Sequence, residues 1–292
     1  MPATLEKKSR CKVNLLLNIL GKRADGFHEL ESVIQPVNVC DDLSFTKGGR
    51  GIQLSCSDPR LPEDSGNLVY RAAAAFLESA GIQNGICIRL EKRIPLAAGL
   101  GGGSGNAAAT LLGLNELFGN PLPPARLAEL AATIGSDVPF FLQSRPALAT
   151  GRGENIQPLE PFPALAGTTL LLIHPGFGIS TAWAYQQLAR FPGALNGTAG
   201  RARQLISLLQ ASDVHAAGAG FYNSLEAPVL RKHPILALYQ EFLRADGAGA
   251  TLMSGSGSTT FAIIQGHDAA QDLAGRFKQK FGQACWTAVV RL

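Results

Sequence analysis

Pro95-Leu-Ala-Ala-Gly-Leu-Gly-Gly-Gly-Ser-Gly-Asn-Ala107 decides how the rest of this chain is read. Five glycines fall between Gly99 and Gly105. Backbone without Cβ atoms approaches a ligand closely and adopts positive φ. Before the loop, Ile86, Ile88 and Leu90 alternate with Cys87 and Arg89 and predict a strand over 85–92. After it, Ala107, Leu111, Leu114 and Phe118 fall on one helical stripe. A helix starting just after such a loop aims free N–H groups and a partial positive charge at whatever sits there. Phosphate is the commonest biological anion of the right shape. A merely flexible loop is the alternative, and the strand–loop–helix order argues against it.

Two common phosphate loops do not fit. A P-loop needs G-x-x-x-x-G-K-[ST], and no lysine follows any of these glycines. A dinucleotide fingerprint needs G-x-G-x-x-G, but Ser104 and Asn106 stand where the third glycine belongs.

Working outward, residues 11–20 alternate. Val13, Leu15, Leu17 and Ile19 take one face of a strand, and Lys12, Asn14, Leu16 and Asn18 the other. Residues 21–26 read as a turn and 27–40 as a second strand, with Pro36 suggesting an edge or bulge. One or two short strands follow over 41–57, around Gly48-Gly49. Helices are expected over 67–81 and 124–134, the second stopping at Gly135-Ser-Asp-Val-Pro139. The stretch 144–167 is rich in proline and glycine and is the expected domain junction, with the break near residue 155. Beyond it come a buried strand over 168–173 and helices over 181–190, 199–211 and 228–245. Strands at 250–254 and 260–264 flank a second glycine turn, Gly255-Ser-Gly257. A helix over 268–281 and a strand over 284–292 end the chain. The irregular interleaving of strands and helices indicates the α+β class.

The bulk numbers set limits. A chain of 292 residues has room for one large or two medium domains. Hydrophobic residues at 46% and charged residues at 16% are globular proportions. The net charge of +4 is too weak and too dispersed to imply nucleic acid, and it suits an anionic small molecule. Five cysteines without a C-x-x-C pair predict reduced, mostly buried thiols in a cytoplasmic protein. Lys7, Lys8 and Arg10 before an apolar run imitate a signal peptide, but Asn14 and Asn18 interrupt the run. No segment is long and apolar enough to span a bilayer, so no membrane partner is expected.

Four further groups are candidates for chemistry. Lys12 and Asn14 share one strand face and could orient an anion there, or could lie on a solvent-exposed edge. His28, beside Phe27, could read a planar ring by hydrogen bonding and stacking, or be an ordinary surface or core histidine. Asp137, in the constrained turn 135–140, could accept a hydroxyl proton, or be a cap or turn aspartate. Gly255-Ser-Gly257 is either a tight turn or a second backbone wall against the first loop. No H-E-x-x-H or C-x-x-C spacing suggests a protein metal site.

Taken together, the ordered set Lys12-Val-Asn-Leu15, Pro95 to Ser104 and Ser254-Gly-Ser-Gly257 resembles the motifs of the GHMP small-molecule kinases. Further marks are Gly21-Lys-Arg-x-Asp25-Gly-Phe-His28-Glu-Leu30, Gly135-Ser-Asp-Val-Pro139-Phe140 and the His174-Pro-Gly176 stretch leading to Ser180-Thr181. These resemble the branch of the family that phosphorylates a CDP-linked polyol in non-mevalonate isoprenoid synthesis. The likeness runs over essentially the whole chain.

The resemblance implies a two-domain GHMP kinase fold. Its N-terminal domain, residues 1–155, would be of the ribosomal-protein-S5 type, and its C-terminal domain, residues 156–292, ferredoxin-like. It also implies ATP as phosphoryl donor, an Mg²⁺ ion without a protein ligand motif, a small-molecule CDP-polyol substrate, and a monomer or weak homodimer. Pro95, Gly99, Leu100, Gly101, Gly102, Gly103, Ser104 and Gly105 would bind ATP, with Asn67 near the adenine. Asp137 would be the catalytic base and Lys12 its charge partner near the transferred group. Asn14 would orient the polyol and His28 would read the cytosine edge. Phe27 and Tyr185 would enclose the base, with Thr181 nearby. The sequence departs from the usual family pattern at Phe27, Ala98, Gly105 and Ser258. Other branches of the family, and a ligand sensor without catalysis, are the rival readings.

Overall fold

The computed structural model describes residues 4–211 and 214–292. In chain order the elements are β1 (Thr4–Lys22), β2 (His28–Lys47), β3 (Ile52–Cys56), α1 (Leu68–Ala80), β4 (Ile86–Glu91), α2 (Gly102–Leu117) and α3 (Pro124–Ile134). Next come β5 (Ala147–Gly151), β6 (Asn155–Pro158), β7 (Thr168–His174), α4 (Thr181–Gln187), α5 (Pro192–Leu195), α6 (Arg201–Gln210) and α7 (Val214–Gly218). The last are β8 (Tyr222–Asn223), α8 (Glu226–Lys232), α9 (Ile235–Ala245), β9 (Ala250–Met253), β10 (Thr260–Gln265), α10 (His267–Phe281) and β11 (Trp286–Arg291). No helix among the described residues is long and apolar enough to cross a membrane.

The elements form two compact units. One holds the chain up to Cys11 with residues 38–94 and 101–144, and the other holds 12–37, 95–100 and 145–292. Residues 145–155 therefore group with the second unit, because β5 pairs with β2 over Leu30–Ile34.

In the first unit β4 lies between β3, parallel to it, and the end of β2, antiparallel to it. Leu43, Phe45, Ile86, Ile88 and Leu90 from these strands meet Phe76, Leu111 and Leu114 from α1 and α2 in one core. Gly113 explains how close α2 comes: a Cβ there would lie 2.7 Å from the Phe45 ring. Asn67 caps α1, its side chain accepting from Val69 N, and Gly81 closes the helix at φ +65°. Asp41 is fully buried and accepts from Arg93 N at 2.7 Å and Ile94 N at 2.9 Å, and it pairs with buried Lys92. This carboxylate ties the chain leaving β4 to β2 just before the glycine loop, where removal of either partner would strand a buried charge.

In the second unit four antiparallel strands run in the order β11-β7-β10-β9. Numbered by their own succession this is 4-1-3-2, with helices in the connections, as expected of a ferredoxin-like domain. β7 sits between β11 and β10, so every residue from Thr168 to His174 is buried. Leu171, Ile173, Ala262, Ile264, Leu273 and Phe277 belong to its core.

Several expectations need correction. The second strand does not stop at residue 40 but continues to Lys47. Pro36 is tolerated because β5 pairs with residues 30–34 and β4 with 42–47, so the proline falls between the two ladders. The stretch 144–167, expected to hold the domain junction, contains β5 and β6 paired as a hairpin. The helix expected over 228–245 is two helices, broken where His233 precedes Pro234 and turns extended at φ −124° and ψ 71°. Helix α4 ends at Gln187, and residues 188–190 tighten into a 3₁₀ turn. Of the five cysteines, only Cys11 and Cys285 are buried. Cys56, for example, ends the edge strand β3 and is half-buried against the core of the first unit.

Candidate active site

Lys12 and Asn14 project from one face of β1 as period two requires, and both are buried. The solvent-exposed alternative fails because β2 flanks β1 on one side, Leu100 bonds its backbone at Lys12, and β8 takes over only at Leu16 and Leu17. Lys12 Nζ donates to Asn14 Oδ1 at 2.6 Å and to the Gly99 carbonyl at 3.2 Å. Asn14 Nδ2 donates to Ser32 Oγ at 2.9 Å, and that hydroxyl donates to Leu16 O at 2.5 Å. The Lys12 backbone N–H donates to Leu100 O at 3.0 Å. The strand is thus tied to the start of the glycine loop by main chain and side chain together.

The late glycine turn is a second wall, not merely a tight connection. A Cβ on Gly99 would lie 2.1 Å from Ser254 O and 2.9 Å from Gly257 N. Ser254 Oγ donates to Gly99 O at 2.9 Å, and Thr259 N donates to Ala98 O at 3.1 Å. A Cβ on Gly255 would lie 3.2 Å from Lys12 Nζ and 3.4 Å from Asn14 Oδ1. Only glycine lets this backbone reach the ammonium so closely, and Gly255 at φ +54° also needs it conformationally. Pro95 opens the first of these segments, and Leu100, almost wholly buried, ends it.

The pieces expected to read a base lie in the same unit. His28 and Tyr185 bring their rings to 5.0 Å between centroids, tilted by 41°. Burial, with Lys22 nearby, holds the His28 imidazole below its ordinary pKa, so at neutral pH it offers one N–H donor and one lone pair. Phe27 stands apart as an exposed ring with the Arg152 guanidinium 4.7 Å from its centroid. Thr181 Oγ1 lies 2.9 Å from Ser256 Oγ in the late turn, linking α4 to it. Ser258 Oγ lies 3.2 Å from His174 Nδ1. Burial alone lowers the His174 pKa to about 4 and keeps that ring neutral.

The other expected residues belong to the first unit. Gly101 precedes α2 at φ +69°, and no side chain caps the helix. Gly102, Gly103 and Ser104 form its first turn, where backbone N–H groups have no intrahelical acceptor. Gly103 is exposed, while Gly102 and Ser104 are half-buried. Gly105 has a packing reason for its size: a Cβ would lie 2.7 Å from Arg10 O. Asn67 uses its side chain locally, accepting from Val69 N at 3.0 Å and donating to Pro62 O at 2.8 Å. Asp137 lies half-buried in the turn that Val138 N closes by donating to Gly135 O at 3.1 Å.

Sequence reasoning missed Asn223 and Ser32. Asn223 Nδ2 donates to Met253 O and to Gly255 O, each at 2.7 Å. Its strand β8 is two residues long, too short to show any period. Ser32 shares its strand face with Leu30 and Ile34, so period two gives no sign of it.

The family profile described as GHMP kinases N terminal domain matches residues 67–145, and that described as GHMP kinases C terminal matches residues 191–283. A protein of Synechococcus sp. (strain JA-3-3Ab), named 4-diphosphocytidyl-2-C-methyl-D-erythritol kinase, is 42% identical over 261 residues, spanning 88% of this chain and 84% of its own. A protein of the same name from Pelotomaculum thermopropionicum is 41% identical over 272 residues, spanning 93% of each chain. A crystal structure of 4-(cytidine 5'-diphospho)-2C-methyl-D-erythritol kinase aligns with 99% of this chain and 100% of its own, at 34% identity and a TM-score of 0.81. With its lysine strand, uncapped glycine-loop helix and late glycine turn, and with matches of this length and identity, the chain belongs to the GHMP kinase family and has its two-domain fold.

Proposed function

We propose that this protein transfers the γ-phosphoryl group of ATP to the 2-hydroxyl of 4-diphosphocytidyl-2-C-methyl-D-erythritol, a step of non-mevalonate isoprenoid synthesis. Membership of the GHMP kinases supplies ATP as donor, and the relatives' shared name supports the acceptor. The observation that carries the chemistry is buried Lys12, whose ammonium is held by Asn14 Oδ1 and Gly99 O beside the Gly255 backbone. Phosphoryl transfer asks a protein chiefly for positioning and for charge stabilisation. A fixed cation with backbone donors supplies both.

The remaining roles are those that the family resemblance implies. Gly101, Gly102, Gly103 and Ser104 present α2's first amides to the ATP phosphates, with Pro95, Gly99, Leu100 and Gly105 shaping the loop around them. Asn67 fixes the start of α1 near the adenine. Asp137 accepts the hydroxyl proton as the transfer proceeds. Asn14 orients the polyol, His28 reads the cytosine edge with Tyr185 against it, and Phe27 and Thr181 border that pocket. Among the described residues no group of three or more His, Cys, Asp or Glu side chains is placed to hold a metal. Mg²⁺ fits this site as an ion that arrives with ATP, because it keeps waters and phosphate oxygens as ligands. When bound it neutralises charge on the β- and γ-phosphates. The enzyme acts in the cytoplasm as a monomer or weak homodimer.

A steady-state assay with ATP and Mg²⁺ tests the acceptor by comparing the CDP-polyol with homoserine and mevalonate. The CDP-polyol should have the highest kcat/KM by orders of magnitude. Preference for either of the others moves the chain to another branch. His28→Ala should raise the KM for the CDP-polyol about tenfold or more, the worth of one or two hydrogen bonds, and leave the KM for ATP unchanged. The pH profile has a defined sign. Since the folded His28 pKa lies below its ordinary 6.5, that KM should be flat above pH 6.5 and rise only below it. A KM that climbs between pH 8 and 7 contradicts the neutral-imidazole role.

A further inference from the structure

The segment 222–226 is a bracket between two parts of the candidate site. On one side β8 pairs in parallel with β1, Leu16 opposite Tyr222 and Leu17 opposite Asn223. Ser224 N donates to Leu17 O at 2.8 Å, and Ser224 Oγ accepts from Ile19 N at 2.9 Å. On the other side Asn223, almost fully buried, spends both amide hydrogens on the carbonyls of Met253 and Gly255. Its Oδ1 accepts from Leu225 N at 2.9 Å, so the side chain has one allowed orientation. Glu226 holds the same strand end a step away, accepting from Met253 N at 2.8 Å and from Gln240 Nε2 at 2.5 Å. The strand that carries Lys12 and the turn that faces its ammonium are therefore joined through Asn223, Ser224 and Glu226 of one short segment.

We propose that Asn223 is a positioning residue for phosphoryl transfer: it fixes the Gly255 backbone against Lys12 Nζ and Asn14. The proposal rests on the kinase reading above. Two carbonyls that repel each other share one carboxamide, and no other natural side chain of this size offers two hydrogens with an acceptor behind them. Without it the Gly255 carbonyl is released and the turn can relax away from the ammonium. A displacement of about 1 Å in such a site can cost about 10²-fold in rate.

The experiment compares three variants by thermal unfolding, circular dichroism and steady-state kinetics. Asn223→Asp keeps the shape but opposes a carboxylate to both carbonyls. Asn223→Ser keeps an acceptor yet has one hydrogen for two carbonyls, and it carries the test should Asn223→Asp fail to fold. Glu226→Ala is the structural control, because it loosens Met253 and leaves Gly255 gripped. The expected result is a kcat loss of about 10²-fold in the Asn223 variants with both KM values nearly unchanged. Glu226→Ala should lower the unfolding midpoint while folded enzyme keeps its kcat. Wild-type kcat in Asn223→Ser, or a loss in all three variants that follows only the folded fraction, overturns the proposal. Should the wild type prefer another acceptor, the acceptor assignment fails, and the same comparison on that acceptor still decides the role of Asn223.

Discussion

Asp137→Asn is expected to lower kcat by about 10²- to 10⁴-fold, the usual worth of a positioned general base, with the affinities for ATP and the CDP-polyol nearly intact. Asp137 is half-buried in a turn closed by the backbone bond from Val138 N to Gly135 O. Its neighbours Val138, Pro139 and Phe140 are buried and help to anchor the turn. The amide has the carboxylate's size but carries no charge, turns one acceptor into a donor and cannot take the proton. Isothermal titration calorimetry for binding and single-turnover kinetics for chemistry separate the two effects. Retention of kcat would remove the base role and leave Lys12 and the loop to catalyse by positioning alone.

Lys12→Met should cost about 10²- to 10³-fold in kcat, the scale of one preorganised electrostatic contact in a water-poor site. Lys12 is only 3% exposed, and its ammonium reaches Asn14 Oδ1 and Gly99 O. Methionine fills similar volume but leaves those two acceptors short of a donor, so a loss of about 1–3 kcal/mol in stability accompanies the rate loss. Lys12→Arg should not restore activity. A planar guanidinium needs room that the Gly255 backbone, with its would-be Cβ 3.2 Å from Nζ, does not leave. Kinetics at matched folded fraction checks both variants. Full activity in either would show that the cation is not needed at this point.

Much of this site was legible because its parts obey short-range rules. Period two placed Lys12 and Asn14 on one face and an aliphatic row on the other, and both polar side chains are buried. Glycine spacing announced two backbone walls, and the contact of Gly99 with Ser254 and Gly257 brings the early and late loops together. What stayed illegible depends on long-range partners. The two-residue strand at Tyr222–Asn223 exists because β1 offers it a ladder, and nothing local marks it. Pro36 reads as an edge or bulge, and β2 runs through it because β5 pairs with the residues before it and β4 with those after it. The 3.6-residue pattern over 228–245 is real on both sides of Pro234, and the break came from the proline's effect on His233, which the periodicity hid. The glycines of the loop also divide in a way spacing does not show. Gly99 serves the late turn and Gly105 serves the packing of α2 on Arg10, so neither owes its size to phosphate alone.

The most direct test of the central claim is ³¹P NMR of the reaction of purified protein with ATP, Mg²⁺ and 4-diphosphocytidyl-2-C-methyl-D-erythritol. The account predicts one new phosphomonoester resonance on the 2-hydroxyl, growing in step with ADP while the CDP diphosphate signals persist. ADP formed without that resonance, or no transfer to this acceptor while homoserine or mevalonate is phosphorylated, would contradict it.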